Sequence, residues 1–279
     1  MFNIYNIKNP LHCVAIVLLI ICPLHSNAQQ ENNDEIQSIK SIGKLPPDRI
    51  DTDRPDQTES STTTPFKYFQ VELGFNRESY KDGTIVYVQP AGLYKYGISR
   101  KAELRVEAPI ITELPTHAEK QKTGFEPVEI GAKVALFEEK KWIPKTSVIA
   151  HVGLPFAATK EYQPANPSFI FRFTCQNTIS KVAGIGYNVG VSWDGDDSSP
   201  VYFYTFSPGF NIGKSWYAYV EAFGFVAKDK LPDHNLALGA AYYINNDVKI
   251  DISGACGLDK AMLHHYVAIG LSFRFKALK

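Results

Sequence analysis

The residues of this chain with chemical potential are charged side chains set at alternate positions within apolar stretches. Glu103, Arg105 and Glu107 alternate with Leu104, Val106 and Ala108; Lys133 stands between Ala132 and Val134, Arg172 between Phe171 and Phe173, and Arg274 between Phe273 and Phe275. Acids and bases spaced in this way can pair across a gap or line a polar passage, depending on what brings them together. They match no catalytic signature: no P-loop, Rossmann glycine pattern, H-E-x-x-H or C-x-x-C occurs. Asp194, Asp196 and Asp197 could hold Ca²⁺, yet the run lacks the glycine at loop position six and the glutamate at twelve that define an EF-hand, so a solvated loop tip is the expectation. His264, His265 and Asp259 suggest a metal or acid/base cluster, but adjacent strand residues point to opposite faces, so both histidines do not serve one site. A serine–histidine pair acting on lipid through His265 finds no serine at matching depth with a motif around it. No enzyme, metal or cofactor is expected.

The elements that must position these charges are strands. Phe69, Val71, Leu73 and Phe75 share one parity, and Gln70, Glu72, Gly74 and Asn76 the other. The same two-residue period recurs at 66–79, 84–97, 102–112, 126–138, 144–155, 167–179, 182–194, 200–212, 215–227, 235–244, 247–257 and 264–275, twelve segments in all. Connections alternate short and long, except for the tight turn Lys81-Asp82-Gly83, as in a transmembrane antiparallel β-barrel. A soluble sandwich or lipocalin-like barrel, apolar face inward, fits the period equally well. Three features favour lipid: strand lengths near the roughly 9–11 residues needed to cross, the aromatics Tyr94, Tyr96, Trp142 and Trp216 at short-turn ends, and a last strand carrying Gly270, Phe273 and Phe275. In the barrel, the alternate parity would line the lumen, with Glu72, Arg105, Glu107, Lys133, Arg172 and Arg274 as the candidate lining residues.

Residues 1–28 read as a cleaved signal peptide: Lys8, an apolar core from Val14 to Ile21, and Ser26-Asn27-Ala28 before the cut. Residues 29–65 form a polar, aperiodic N-terminal segment on the periplasmic side, either a tail or a segment that folds into the lumen. Residues 66–275 are the barrel and 276–279 a C-terminal tail. Cys175 and Cys256 sit in an oxidising compartment without forming a disulfide framework. With 29 Lys+Arg against 29 Asp+Glu, no basic excess exists to draw nucleic acid.

The stretch Asp53-Arg54-Pro55-Asp56-Gln57-Thr58-Glu59-Ser60, with Tyr68 to Gly74, Tyr94 to Arg105 and Val128 to Lys133, resembles a bacterial outer-membrane family labelled "putative MetA-pathway of phenol degradation". The resemblance covers about residues 51 to 275. It implies a membrane barrel that passes small, hydrophobic or aromatic molecules and supplies no catalytic residues. Asp53, Arg54, Pro55 and Asp56 are the candidate motif at its start. The combined expectation is an exported outer-membrane channel or transporter. Its partners would be outer-membrane lipid, a small solute, and the insertion machinery that reads its C-terminal strand.

Overall fold

The computed structural model describes residues 49–116, 120–258 and 262–277. The signal peptide expected at 1–28, the stretch 29–48 and Asp259 lie outside them. Strands are β1 (Tyr68–Tyr80), β2 (Ile85–Gly97), β3 (Ala102–Glu107), β4 (Ile110–Leu114), β5 (Lys122–Phe125), β6 (Val128–Phe137) and β7 (Lys145–Leu154). They continue as β8 (Ser168–Thr178), β9 (Ala183–Trp193), β10 (Val201–Ile212), β11 (Trp216–Ala227), β12 (Asp233–Tyr243), β13 (Val248–Gly257) and β14 (Leu263–Lys276). Pairing is antiparallel throughout, and β1 pairs with both β2 and β14, closing the sheet into a barrel.

The fourteen ladder segments make twelve staves. β2 pairs with β3 along its short-turn half and with β4 along its other half, while β3 pairs with β6 and β4 with β5. The third and fourth staves expected at 102–112 and 126–138 are therefore each broken in two, and part of the expected loop 113–125 is strand. Proline explains the breaks. Pro109 separates β3 from β4 and Pro127 separates β5 from β6; lacking an N–H, neither can donate to a ladder. Pro90 lies beside them on β2, opposite the register shift of β1 between Gly74 and Asn76. At the Lys81-Asp82-Gly83 turn, Gly83 has φ +90° and donates its N–H to the Tyr80 carbonyl at 3.0 Å, a conformation that favours glycine.

The two faces decide between lipid and water. The apolar parity is exposed: Leu238 is 65% exposed, Val189 56% and Phe69 42%, whereas Glu72 and Lys133 on the other parity are 0%. Leaving even ten such apolar side chains in water would forfeit on the order of 15–30 kcal/mol. That exceeds the roughly 5–15 kcal/mol by which folded domains are stable. A soluble barrel has its polarity the other way round, so the outer wall suits hydrocarbon, and closure through β1 gives the staves neighbours on both sides, with β5 paired to β4 alone among the described residues. Trp142 and Trp216 are exposed at short turns, and Tyr96 stacks near Phe69 with ring centroids 4.5 Å apart. The inner wall is mainly polar, with an apolar patch of Phe223, Ala237, Ala255, Tyr266 and Ala268 on β11 to β14 and further buried apolar side chains such as Ile149 on β7 and Phe203 on β10. Cys175 on β8 and Cys256 on β13 are free thiols.

Candidate functional site: the lumen and its inner segment

Residues 49–66 have no ladder of their own, so their backbone donors need other partners. Inward side chains of the wall provide them. Glu72 Oε2 accepts the Asp53 and Arg54 N–H groups at 2.9 and 3.1 Å, and Glu221 Oε2 accepts that of Gln57 at 2.9 Å. Asn188 Oδ1 takes the Glu59 N–H at 2.7 Å, Gln176 Oε1 that of Ser61 at 3.0 Å, and Glu103 that of Thr64. The segment enters at the short-turn rim, where the Ile50 N–H reaches the Asn246 carbonyl at 2.7 Å and Arg49 lies 3.7 Å over the Tyr243 ring. It returns to that rim at Lys67, whose N–H donates to the Gly97 carbonyl at 2.9 Å. Between these points it touches nearly every stave.

Asp53 is the centre of the arrangement. Its Oδ2 lies 2.9 Å from Lys95 Nζ and 2.7 Å from Arg105 Nη1; its Oδ1 lies 2.8 Å from Lys133 Nζ and accepts the Ser60 N–H at 2.9 Å. Burial by itself pushes the Asp53 carboxyl up, but Lys133, Lys95 and Arg105 outweigh it and hold the group well below the usual carboxylate range. The cations have wall partners as well: Lys95 with Glu72 at 2.5 Å, and Arg105 with Glu103 at 3.0 Å. Glu59, also on the segment, reaches Arg105 at 2.7 Å and Arg172 at 3.4 Å.

Arg54 occupies a second seat. Its Nη2 donates to Asp251 Oδ1 at 3.1 Å and to the Ile269 carbonyl at 3.3 Å. Beneath it lie Gly74 and Gly270, cross-strand partners on β1 and β14. A Cβ on Gly74 would stand 2.1 Å from Arg54 Nη1, and one on Gly270 would stand 2.5 Å from Arg54 Nε. Gly97 and Gly186 likewise leave room for Pro65 and Thr58. At these four glycines the wall lets the segment approach its backbone closely.

Two cavities flank the segment, one of about 430 Å³ and one of about 240 Å³, and Arg54 and Asp56 border both. The larger, toward the short turns, is lined among others by Lys145, Asn211, Tyr217 and Tyr243. The smaller is lined by Asp53, Glu59, Leu93, Arg105, Glu107, Pro109 and Arg172. Of the residues singled out from sequence, Glu72, Arg105 and Lys133 bond to the inner segment, and Glu72, Arg105, Glu107 and Arg172 all border the smaller cavity. Arg274 stands apart, 2.8 Å from Asp247 in a short turn. Pro55 lies within the segment, and Asp56 Oδ2 accepts the Ser207 hydroxyl at 2.8 Å.

Glu107, Glu129 and His151 offer ligand atoms within 4.8 Å of one another. His151 Nε2 accepts the Arg105 Nε–H at 3.0 Å, which assigns the ring proton to Nδ1, 3.1 Å from Glu129 and 3.4 Å from Glu107. A cation bound at Nδ1 would return a proton to Nε2 and set it against the Arg105 donor, so the trio is a hydrogen-bonded chain by construction. In the acidic loop, Asp194 Oδ1 accepts the N–H groups of Asp196 and Asp197, each at 2.9 Å, so its carboxylate shapes the turn.

Sequence reasoning missed a serine near His265. Ser79 pairs directly opposite it across β1 and β14, a relation that alternation within single strands does not reveal. The two form no hydrogen bond among the described residues; His265 Nε2 faces Arg77 Nη1 at 3.5 Å, and the His265 ring packs edge-on to His264. His151, Asn188 and Gln176 were also missed, although inward parity opposite a polar, aperiodic segment was the available signal.

The fold resembles that of an outer membrane channel from Pseudomonas putida F1, at 8% identity over 77% of this chain and 98% of that one, with a TM-score of 0.63. NanC porin matches at 11% identity over 74% of this chain and 98% of that one, TM-score 0.48. The CymD monoaromatic hydrocarbon channel matches at 10% over 76% and 89%, TM-score 0.43. The last two likenesses are too loose to bear on function. No curated protein matches the sequence. A family model described as "Putative MetA-pathway of phenol degradation" matches residues 52–275, the inner segment and the barrel together, and the chain belongs to that family.

Proposed function

We infer that the protein is an outer-membrane channel for small solutes, with its short turns and the start of the barrel on the periplasmic side. The observation that carries this reading is the inverted polarity: an apolar exterior around a charged interior that holds two cavities. A purely structural barrel has no need of a charged lumen crossed by a segment anchored through side-chain contacts, since apolar filling would be at least as stable. Glu107 and Arg172, on the smaller cavity, are the wall charges a solute meets first. Glu72 and Arg105 border the same cavity beneath the segment, Lys133 comes into play when the segment moves, and Arg274 organises the periplasmic rim. The apolar band and the aromatic residues at its edge support contact with outer-membrane lipid. The terminal strand with Phe273 and Phe275 supports recognition by the insertion machinery, and the leader at 1–28 supports export. The family description supports small organic molecules as cargo.

The test is swelling of proteoliposomes holding refolded, heat-modifiable protein in isotonic solutions of graded small solutes. Swelling that falls off with solute size is expected; none with any solute would overturn the reading.

A further inference from the structure

We propose that Lys95, Arg105 and Lys133 form a carboxylate-binding seat in the lumen, which the protein's own Asp53 occupies and which a small organic carboxylate can take in its place. Deepening the channel reading, this names the class of solute the lumen recognises.

Three strands, β2, β3 and β6, converge on this seat, and the three cationic side chains are at most 2% exposed. They place three charged donors on the two oxygens of one carboxylate, at 2.7 to 2.9 Å. Arg105 gives the seat one nitrogen, Nη1, its orientation fixed by His151 at Nε and Glu59 at Nη2, and the two lysines add point charges. The charge balance leaves a place for one anion. Nearest the three cations on the wall are Glu72, 2.5 Å from Lys95, and Glu103, 3.0 Å from Arg105 and 3.8 Å from Lys133. Glu107 is farther, 3.6 Å from the other Arg105 nitrogen; its side chain is a third exposed toward the smaller cavity and engages His151. Glu59 also neutralises Arg105, but it belongs to the same segment as Asp53 and leaves with it. Removing the segment therefore uncovers a positive site that was built around a carboxylate.

Asp53 is exchangeable because of how it is presented. It sits on a stretch without ladder pairing, and both it and Arg105 line the smaller cavity, so a solute there comes alongside the occupied seat. A carboxylate that takes the seat leaves Asp53 without its cations, which couples solute binding to loosening of the segment.

The experiment titrates Asp53→Asn, nearly isosteric and without the charge, with benzoate and with its neutral isostere benzamide, using calorimetry on detergent-solubilised, heat-modifiable protein. Asp53→Asn is expected to bind benzoate at least about ten-fold more tightly than the wild type does, equivalent to about 1.4 kcal/mol. Benzamide should be unaffected, and Lys133→Met in the Asp53→Asn background should abolish the benzoate gain. Equal binding of benzoate and benzamide, or no gain in Asp53→Asn, would overturn the proposal. If Asp53→Asn does not refold, wild type and Lys133→Met are compared instead: the wild type should prefer benzoate about ten-fold and Lys133→Met should not. The same preference in both would overturn the seat. Because calorimetry does not depend on conduction, benzoate binding without solute passage would uphold the seat and refute the channel reading.

Discussion

Placing one methyl group at Gly74 should loosen the inner segment without removing any charge. The Cβ of Gly74→Ala would fall 2.1 Å from Arg54 Nη1, so the guanidinium must leave its seat, while β1 itself loses nothing by exchanging glycine for alanine. Leaving costs the charge-assisted bond to Asp251 at 3.1 Å and the bond to the Ile269 carbonyl at 3.3 Å. At about 1.5–3 kcal/mol for the first and about 1 kcal/mol for the second, the segment's seating weakens by about 2.5–4 kcal/mol. That is on the order of 70- to 800-fold in the ratio of seated to unseated segment. The assay is single-channel recording of open probability, with heat-modifiable mobility confirming an intact barrel. Arg54→Ala should act in the same direction, and because both changes work through one guanidinium, the double variant should add little to Arg54→Ala alone. Additive effects in that cycle, or an open probability unmoved by Gly74→Ala, would refute the idea that Arg54 latches the segment on the glycine floor.

Other outcomes follow from the same geometry. Val189→Lys puts a charge on the lipid face of β9, where Val189 is 56% exposed, and should cost about 2–4 kcal/mol near the bilayer midplane, read as a smaller heat-modifiable fraction after refolding. Thr174→Val, on the inner parity of β8, should leave that fraction nearly unchanged. Arg172→Glu reverses a charge on the smaller cavity and removes one of the two cations that neutralise Glu59, so the reversal potential across a salt gradient should shift toward cations; an unshifted value removes Arg172 from the ion path. The Asp53 carboxyl is held low, so its contribution is complete above its ordinary value of 3.8 and is lost only as pH falls through the lowered one. Infrared titration should therefore show no protonated-carboxyl band lost in Asp53→Asn above about pH 4, and such a band at pH 5 would contradict the three-cation account.

The staves and their two faces were legible because a side-chain period of two survives in any single strand. Phe69 to Phe75 and Val267 to Phe275 declare their exposed parity without knowledge of their neighbours. Relations across strands were not legible. The meeting of Gly74 with Gly270, and of Ser79 with His265, depends on register, which is set by the whole closed sheet. Pro109 and Pro127 do mark their breaks in sequence, but the apolar alternation runs on through them and hides the split. The inner segment had no period to follow, because its partners are wall acids and amides rather than a neighbouring strand. Its polar run Asp53 to Ser60 left both a free tail and a lumenal segment open, with the family resemblance leaning towards an ordered role, and the placement of Glu72, Glu221 and Asn188 opposite its N–H groups distinguishes them.

The most direct test of the central claim is planar-bilayer conductance of the refolded, heat-modifiable barrel with and without residues 49–64. A lumen that is a solute path obstructed by its own inner segment predicts small or rare steps for the intact chain and larger, sustained steps once the segment is deleted. Equal conductance in both, or none in either despite a heat-modifiable barrel, would contradict it.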